Sequence, residues 1–177
     1  MSKKPAIFLD RDGVLTEENS YVTSWKDLHI FSYTKDCIQK IHKKGYYAIV
    51  ITNQSGIARG LFSEKQLQEM NQYLIEKTAV DAIYYCPHHP EGKIEKYRQI
   101  CHCRKPKVGM FKKACREFEI DLKRSYMVGD RAGDILAGQH INLQTILVES
   151  GYGTARLEKL VKPDYIVKDL REVIALL

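Results

Sequence analysis

No apolar run in these 177 residues approaches the ~18 needed to cross a bilayer, so a membrane-spanning helix is excluded. There is no internal repeat, no low-complexity stretch and no long block of one charge, which leaves little room for a solenoid, a coiled coil or a disordered tail. The amino terminus reaches Asp10 after only four apolar residues, Ala6 to Leu9, too few for a signal-peptide core. Cysteines number five, an odd count without an export signal, so the expectation is a cytoplasmic chain whose clustered thiols bind metal rather than forming disulfides.

What is present describes one globular domain. Apolar residues make up 44% and charged residues 28%, and a chain of this length buries roughly 70% of its unfolded surface without staples. The net charge of +6 suits phosphorylated metabolites, nucleic acid or simple solubility, and does not choose among them. Short apolar runs at Ala6–Leu9, Tyr46–Ile51, Tyr126–Val128, Thr145–Val148 and Tyr165–Val167 read as strands, continuous rather than alternating, as in parallel sheets covered on both faces. Between them lie helical patterns. One is capped by Thr34, carries Cys37, Ile38 and Ile41 and stops at Gly45; another opens with the capping box Ser63–Gln66; a third runs from Pro106 to Glu117 with Met110, Phe111, Cys115 and Phe118 inward. The alternation predicts an α/β fold with a doubly wound, mainly parallel sheet, in one domain over 1–177. The stretch Tyr84–Arg104, dense in Cys, His and Pro, reads as an ordered loop insert.

In such sheets ligands sit beyond the carboxyl ends of the strands, and those ends here carry Asp10, Thr52 and Asp130. Asp10 and Asp12 stand two residues apart, with Gly13 allowing a sharp turn that aims both into one crevice. Paired carboxylates repel unless a hard cation joins them, which implies Mg²⁺; Asp130 and Asp134 complete the acidic cluster. Thr52, Asn53, Gln54 and Ser55 offer a hydroxyl and successive backbone N–H groups to phosphate oxygens, and Lys105 supplies a balancing charge. These parts suit phosphoryl transfer through an aspartyl-phosphate. Cys86 and His88, then Cys101 and Cys103 after twelve intervening residues, match a closed, structural zinc site that would fix Arg104 and Lys105 over the carboxylates. Cys37 and Cys115 read as plain core thiols. Arg59, Arg104 and Arg131 are candidates to hold a second phosphate.

Phe8-Leu9-Asp10-Arg11-Asp12-Gly13-Val14, Ile51-Thr52-Asn53-Gln54, Lys105 and Val128-Gly129-Asp130…Asp134 resemble, in order, the four motifs of the haloacid dehalogenase-like phosphatases. The resemblance implies a Rossmann-type core, Asp10 as nucleophile and Asp12 as general acid/base. It also implies Thr52 and Lys105 on phosphate, Asp10, Asp130 and the Asp12 carbonyl on Mg²⁺, and Asp134 in support. Tyr84–Pro90 and Cys103-Arg104-Lys105-Pro106 narrow it to the zinc-loop branch that contains heptose-bisphosphate and histidinol-phosphate phosphatases. In that branch Glu18, Asn19, Ser20 and Tyr21 fall in the loop that touches sugar. The implied activity is hydrolysis of the 7-phosphate of a heptose 1,7-bisphosphate by a monomer, with histidinol phosphate or another small phosphate ester as the alternative. Only forty residues separate Asp12 from Thr52, too few for a separate cap domain. Two readings from other classes rank lower. A receiver-type signalling domain does not need Asp12 or a zinc loop, and a zinc-based nucleic-acid module lacks a clustered basic stripe, so neither nucleic acid nor membrane is an expected partner.

Overall fold

A computed structural model describes residues 3–177. Its centre is a six-stranded sheet in which every neighbouring pair is parallel. The strands are β1 (Ala6–Leu9), β2 (Tyr47–Asn53), β3 (Ala82–Cys86), β4 (Tyr126–Gly129), β5 (Gln144–Val148) and β6 (Tyr165–Val167). Their spatial order is β3-β2-β1-β4-β5-β6. The helices are α1 (Thr34–Lys43), α2 (Glu64–Thr78), α3 (Gly109–Glu117), α4 (Ala132–Gln139) and α5 (Leu170–Leu176).

Successive residues of β1 serve opposite cores. Ile7 and Leu9 join the apolar cluster beneath α1, α2 and α5, while Ala6 and Phe8 join the one beneath α3. Both sets are sealed from solvent, which is why the strand reads as an unbroken apolar run. Phe8 and Phe111 of α3 meet edge-on at 5.0 Å between centroids, anchoring that helix below the sheet. No helix of the described residues is long and apolar enough to cross a membrane.

Several local expectations shift. Tyr84, Tyr85 and Cys86, expected in a loop, belong to β3 and pair with Ile51, Thr52 and Asn53, so the sheet has six strands. The Cys-Pro-His sequence that follows obscures the strand. Thr34 is the first residue of α1 rather than its cap: Tyr33 holds the N-cap position, and the buried Thr34 hydroxyl donates to the Leu15 carbonyl at 2.8 Å. α3 begins at Gly109 rather than Pro106. Cys115 is half-buried at the core's edge, whereas Cys37 is fully interior. The Ser63–Gln66 capping box forms as expected.

Candidate active site

The strand order reverses between β1 and β4, so the loops leaving those strands diverge and open a crevice between them. Asp10 leaves β1 on one side of this crevice and Asp130 leaves β4 on the other. Their carboxylates, with that of Asp134 in the first turn of α4, converge within 4.8 Å of one another, and all three residues are buried. The approach is tight. Gly13, at φ +83°, lies so close that a Cβ there would stand 2.5 Å from Asp130 Oδ2, and a Cβ on Gly151 would also strike that oxygen.

Lys105 is the cation that offsets this charge. Its ammonium lies 3.0 Å from Asp10 Oδ1 and 2.6 Å from Asp134 Oδ1, and donates its remaining hydrogen bond to the Ile51 carbonyl at 2.6 Å. Burial alone would lower the Lys105 pKa, but the Asp10 and Asp134 carboxylates outweigh it and the pKa is raised. Asp134 therefore positions the lysine. Burial pushes the Asp10 carboxyl up to about 6 despite Lys105. Asp130 rises further, to about 8, through burial and then repulsion from Asp10 and Asp134. Asp130 Oδ2 accepts from the Tyr152 backbone N–H at 2.8 Å, whereas its Oδ1 is buried without a hydrogen bond, its nearest cation being Arg131 Nε at 3.8 Å. A sealed carboxylate oxygen with no donor, beside a second crowded carboxylate, fits a hard divalent cation.

Asp12 faces the same cavity from the other side of the turn. Its carboxylate is gripped by Arg11, itself only 1% exposed, with Nε and Nη2 at 2.9 and 3.0 Å. The cavity holds about 330 Å³, and its wall includes Asp10, Asp12, Ser20, Tyr21, Arg104 and Arg131. Asn53, Gln54, Ser55, Lys105 and Asp134 also line it. Thr52 does not: its hydroxyl is sealed and accepts from Gln54 Nε2 at 2.9 Å. Glu18 stands behind the wall, paired with Arg131 at 2.8 Å, and Asn19 lines a separate shallow depression. Arg59 is turned away, its Nη2 against His89 Nε2 at 3.2 Å. Sequence reasoning missed Tyr152, which supplies both a donor to Asp130 and a ring beneath Arg131 and Arg156 at 4.3 and 4.1 Å. Its only local signal is Gly151-Tyr152-Gly153 just beyond a strand end.

Cys86, at the end of β3, meets His88, Cys101 and Cys103 in a second cluster whose ligand atoms also fall within 4.8 Å. Cys103 Sγ lies 2.9 Å from Cys86 Sγ and 3.2 Å from Cys101 Sγ, and His88 Nδ1 is 3.3 Å from Cys103 Sγ. None of these thiols is in a disulfide. Hydrogen bonding with Cys86, then with Cys101 and His88, draws the Cys103 thiol down to about 5. Three sulfurs and one imidazole whose ligand atoms lie this close together could hold a metal ion, and the set fits tetrahedral zinc. The Arg104 N–H donates to Cys101 Sγ at 3.3 Å and its guanidinium to the His88 carbonyl at 3.4 Å, so this cluster holds Arg104 at the cavity wall.

Comparison with known proteins agrees with this geometry. The HAD-hydrolase-like family model matches residues 102–173. The chain is 41% identical to a D-glycero-beta-D-manno-heptose-1,7-bisphosphate 7-phosphatase of Haemophilus ducreyi, over 97% of each chain. It is 44% identical to the protein of that name from Pasteurella multocida, over 84% of this chain and 83% of the relative. Among solved structures, a D,D-heptose 1,7-bisphosphate phosphatase from B. bronchiseptica, complexed with magnesium and phosphate, superposes with a TM-score of 0.83 at 30% identity, covering 97% of both chains. With such identity sustained along almost its whole length, the chain belongs to the haloacid dehalogenase-like phosphatases, in the family of these heptose-bisphosphate enzymes.

Proposed function

We propose that this phosphatase removes the 7-phosphate of D-glycero-beta-D-manno-heptose 1,7-bisphosphate, as the names of its relatives suggest, through a phosphorylated Asp10. The observation that carries the chemistry is the placement of Asp10: its carboxylate lies on the buried Lys105 ammonium, beside the unpartnered oxygen of Asp130, where the cavity meets the sheet. Asp10 attacks phosphorus in line, forming an acyl-phosphate bond as the ester P–O bond breaks. Asp12 gives its proton to the departing sugar oxygen, then takes one from the water that cleaves the acyl-phosphate, so both side chains return to their starting states. Lys105 holds the attacking carboxylate and offsets charge on the transferring group. Magnesium, which the Asp10 and Asp130 carboxylates and the Asp12 carbonyl would hold, supplies neutralisation of the phosphoryl charge when bound.

The phosphoryl oxygens meet the Asn53–Ser55 wall of the cavity, where the expected run of free backbone N–H groups is broken because the Gln54 N–H donates to the Cys86 carbonyl at 2.8 Å. Arg104 and Arg131 reach the second phosphate across the cavity, Ser20 and Tyr21 face the sugar, and Glu18 acts from behind by holding Arg131. The zinc cluster is structural, since its four protein donors leave no open position. The chain works as a single phosphatase unit without a separate cap, a monomer in the cytoplasm acting on a free sugar phosphate. The test is phosphate release with Mg²⁺ from both anomers of heptose 1,7-bisphosphate and from histidinol phosphate. A preference of ~100-fold for the β-anomer, about 2.7 kcal/mol in transition-state binding, is expected, with none released by Asp10→Asn. Preference for histidinol phosphate would retain the chemistry and overturn the substrate.

A further inference from the structure

Asp12 sits in a cage of donors built by its own neighbours. Its Oδ1 accepts from Arg11 Nε at 2.9 Å and Thr16 Oγ1 at 3.2 Å; its Oδ2 accepts from Arg11 Nη2 at 3.0 Å and Gln54 Nε2 at 2.9 Å. Arg11 Nη2 also donates to Gln54 Oε1 at 3.2 Å. The remaining nitrogen of the guanidinium, Nη1, is sealed from solvent with no partner. Arg11 is the bulkiest of the fully buried side chains, a rank otherwise held by Phe, Ile, Leu and Met. A buried cation that leaves one donor unused is a costly way to fill a core. What it secures instead is a planar, two-point grip on one carboxylate, which fixes the plane of that group as a single point charge would not.

The geometry points to Arg11 as a positioning residue for acid–base catalysis: its guanidinium fork fixes the plane of the Asp12 carboxyl at the cavity wall, and the Thr16 or Gln54 contact gives way to free the lone pair that carries the proton. The proposal rests on the reading of Asp12 as general acid/base. Arg11 exchanges no proton and touches no reacting atom. When Asp12 delivers its proton, its O–H bond breaks and one forms on the departing alcohol; when water attacks the acyl-phosphate, the same carboxylate takes a proton back. Both transfers need the carboxyl in one orientation, and the fork is what holds it.

The test exploits leaving groups. An alkyl phosphate such as the heptose ester needs a proton on its departing oxygen, whereas p-nitrophenyl phosphate releases a stable phenolate that does not. Arg11→Lys keeps the charge and loses the fork. In this variant kcat/KM for the alkyl ester should fall ~10–100-fold, a part of the ~10²–10⁴-fold that positioned acid catalysis contributes, while the aryl ester changes less than about threefold. In an Asp12→Asn background the same substitution should change the alkyl rate by less than about threefold. Equal losses on both esters, or an alkyl loss that persists without Asp12, would assign Arg11 a merely structural role. If Arg11→Lys does not fold, the arginine Nε–H resonances of the unaltered protein decide. One of them should be protected from exchange and lose that protection in Asp12→Ala, and a set indifferent to that change overturns the proposal. Failure of the unaltered protein to hydrolyse either ester would instead sink the phosphatase reading itself.

Discussion

Asp130 carries the clearest energetic imbalance in the molecule, because folding seals its carboxylate beside Asp10 and Asp134 with one oxygen unpartnered. Its pKa rises from 3.8 to about 8, so between those values the folded state binds a proton that the unfolded chain has released. Stability must then fall as pH rises through that window, and Asp10, raised to about 6, adds to the slope in its lower half. In magnesium-free buffer the Tm of the protein is therefore expected to drop from pH 5 to pH 8. Asp130→Asn should flatten the drop, and Mg²⁺ should raise Tm more at pH 8 than at pH 5. A wild-type Tm independent of pH over this range would refute the imbalance. At this scale the sequence was informative about charge and poor about partners. The carboxylates announce themselves through local spacing, as in Asp10-Arg11-Asp12-Gly13. The Arg131–Glu18 pair joins residues 113 apart and the Tyr152 N–H reaches Asp130 across 22; such contacts exist only once the sheet has brought distant loops together.

Among the elements, the segment from β3 to α3 joins structure to function most directly. β3 delivers Cys86 to its carboxyl end, and the loop returns through Cys101 and Cys103 to Arg104 and Lys105, both on the cavity wall. Behind it, Glu64 of α2 accepts from Tyr97 at 2.7 Å and Tyr85 at 3.0 Å, pinning the loop to the helix. The Cys86, His88, Cys101 and Cys103 cluster was legible because thiol–imidazole spacing of this kind follows coordination geometry and survives without knowledge of the fold. The strand beneath them was not, since its apolar signal is only five residues long and ends in the ligands themselves. If the zinc site braces the cations, Cys103→Ser should lower zinc affinity by at least the ~10–100-fold that loss of an outer partner alone costs, and should raise KM through a misplaced Arg104. Metal analysis and steady-state kinetics on the same preparation check both, and an unchanged metal content with unchanged kinetics would break the link between loop and cavity.

On the scale of the whole molecule, strand order decides where chemistry can occur. With β1 and β4 adjacent at the point where the winding reverses, the two loops that carry Asp10 and Asp130 are the pair that a doubly wound sheet leaves apart. The strand–helix alternation made this fold readable, while β3 and the cavity wall depended on packing that no local pattern records. Charge works over a longer range than this geometry. The chain carries 28 Lys and Arg against 22 Asp and Glu, and the acids of the cavity are already balanced in part by Lys105, Arg104 and Arg131. A bisphosphate therefore approaches a surface that is positive as a whole, and its encounter should be steered until salt screens the field. Raising ionic strength from ~0.01 to ~0.15 M shortens the Debye length from about 30 to about 8 Å, less than the width of the molecule. With Mg²⁺ saturating, kcat/KM for the bisphosphate should fall several-fold over that range, kcat should hold, and a monophosphate ester should respond less because it carries roughly half the charge. An equal salt response for the two esters would place the effect on the shared phosphoryl site, and leave Arg104 and Arg131 without a second phosphate to receive.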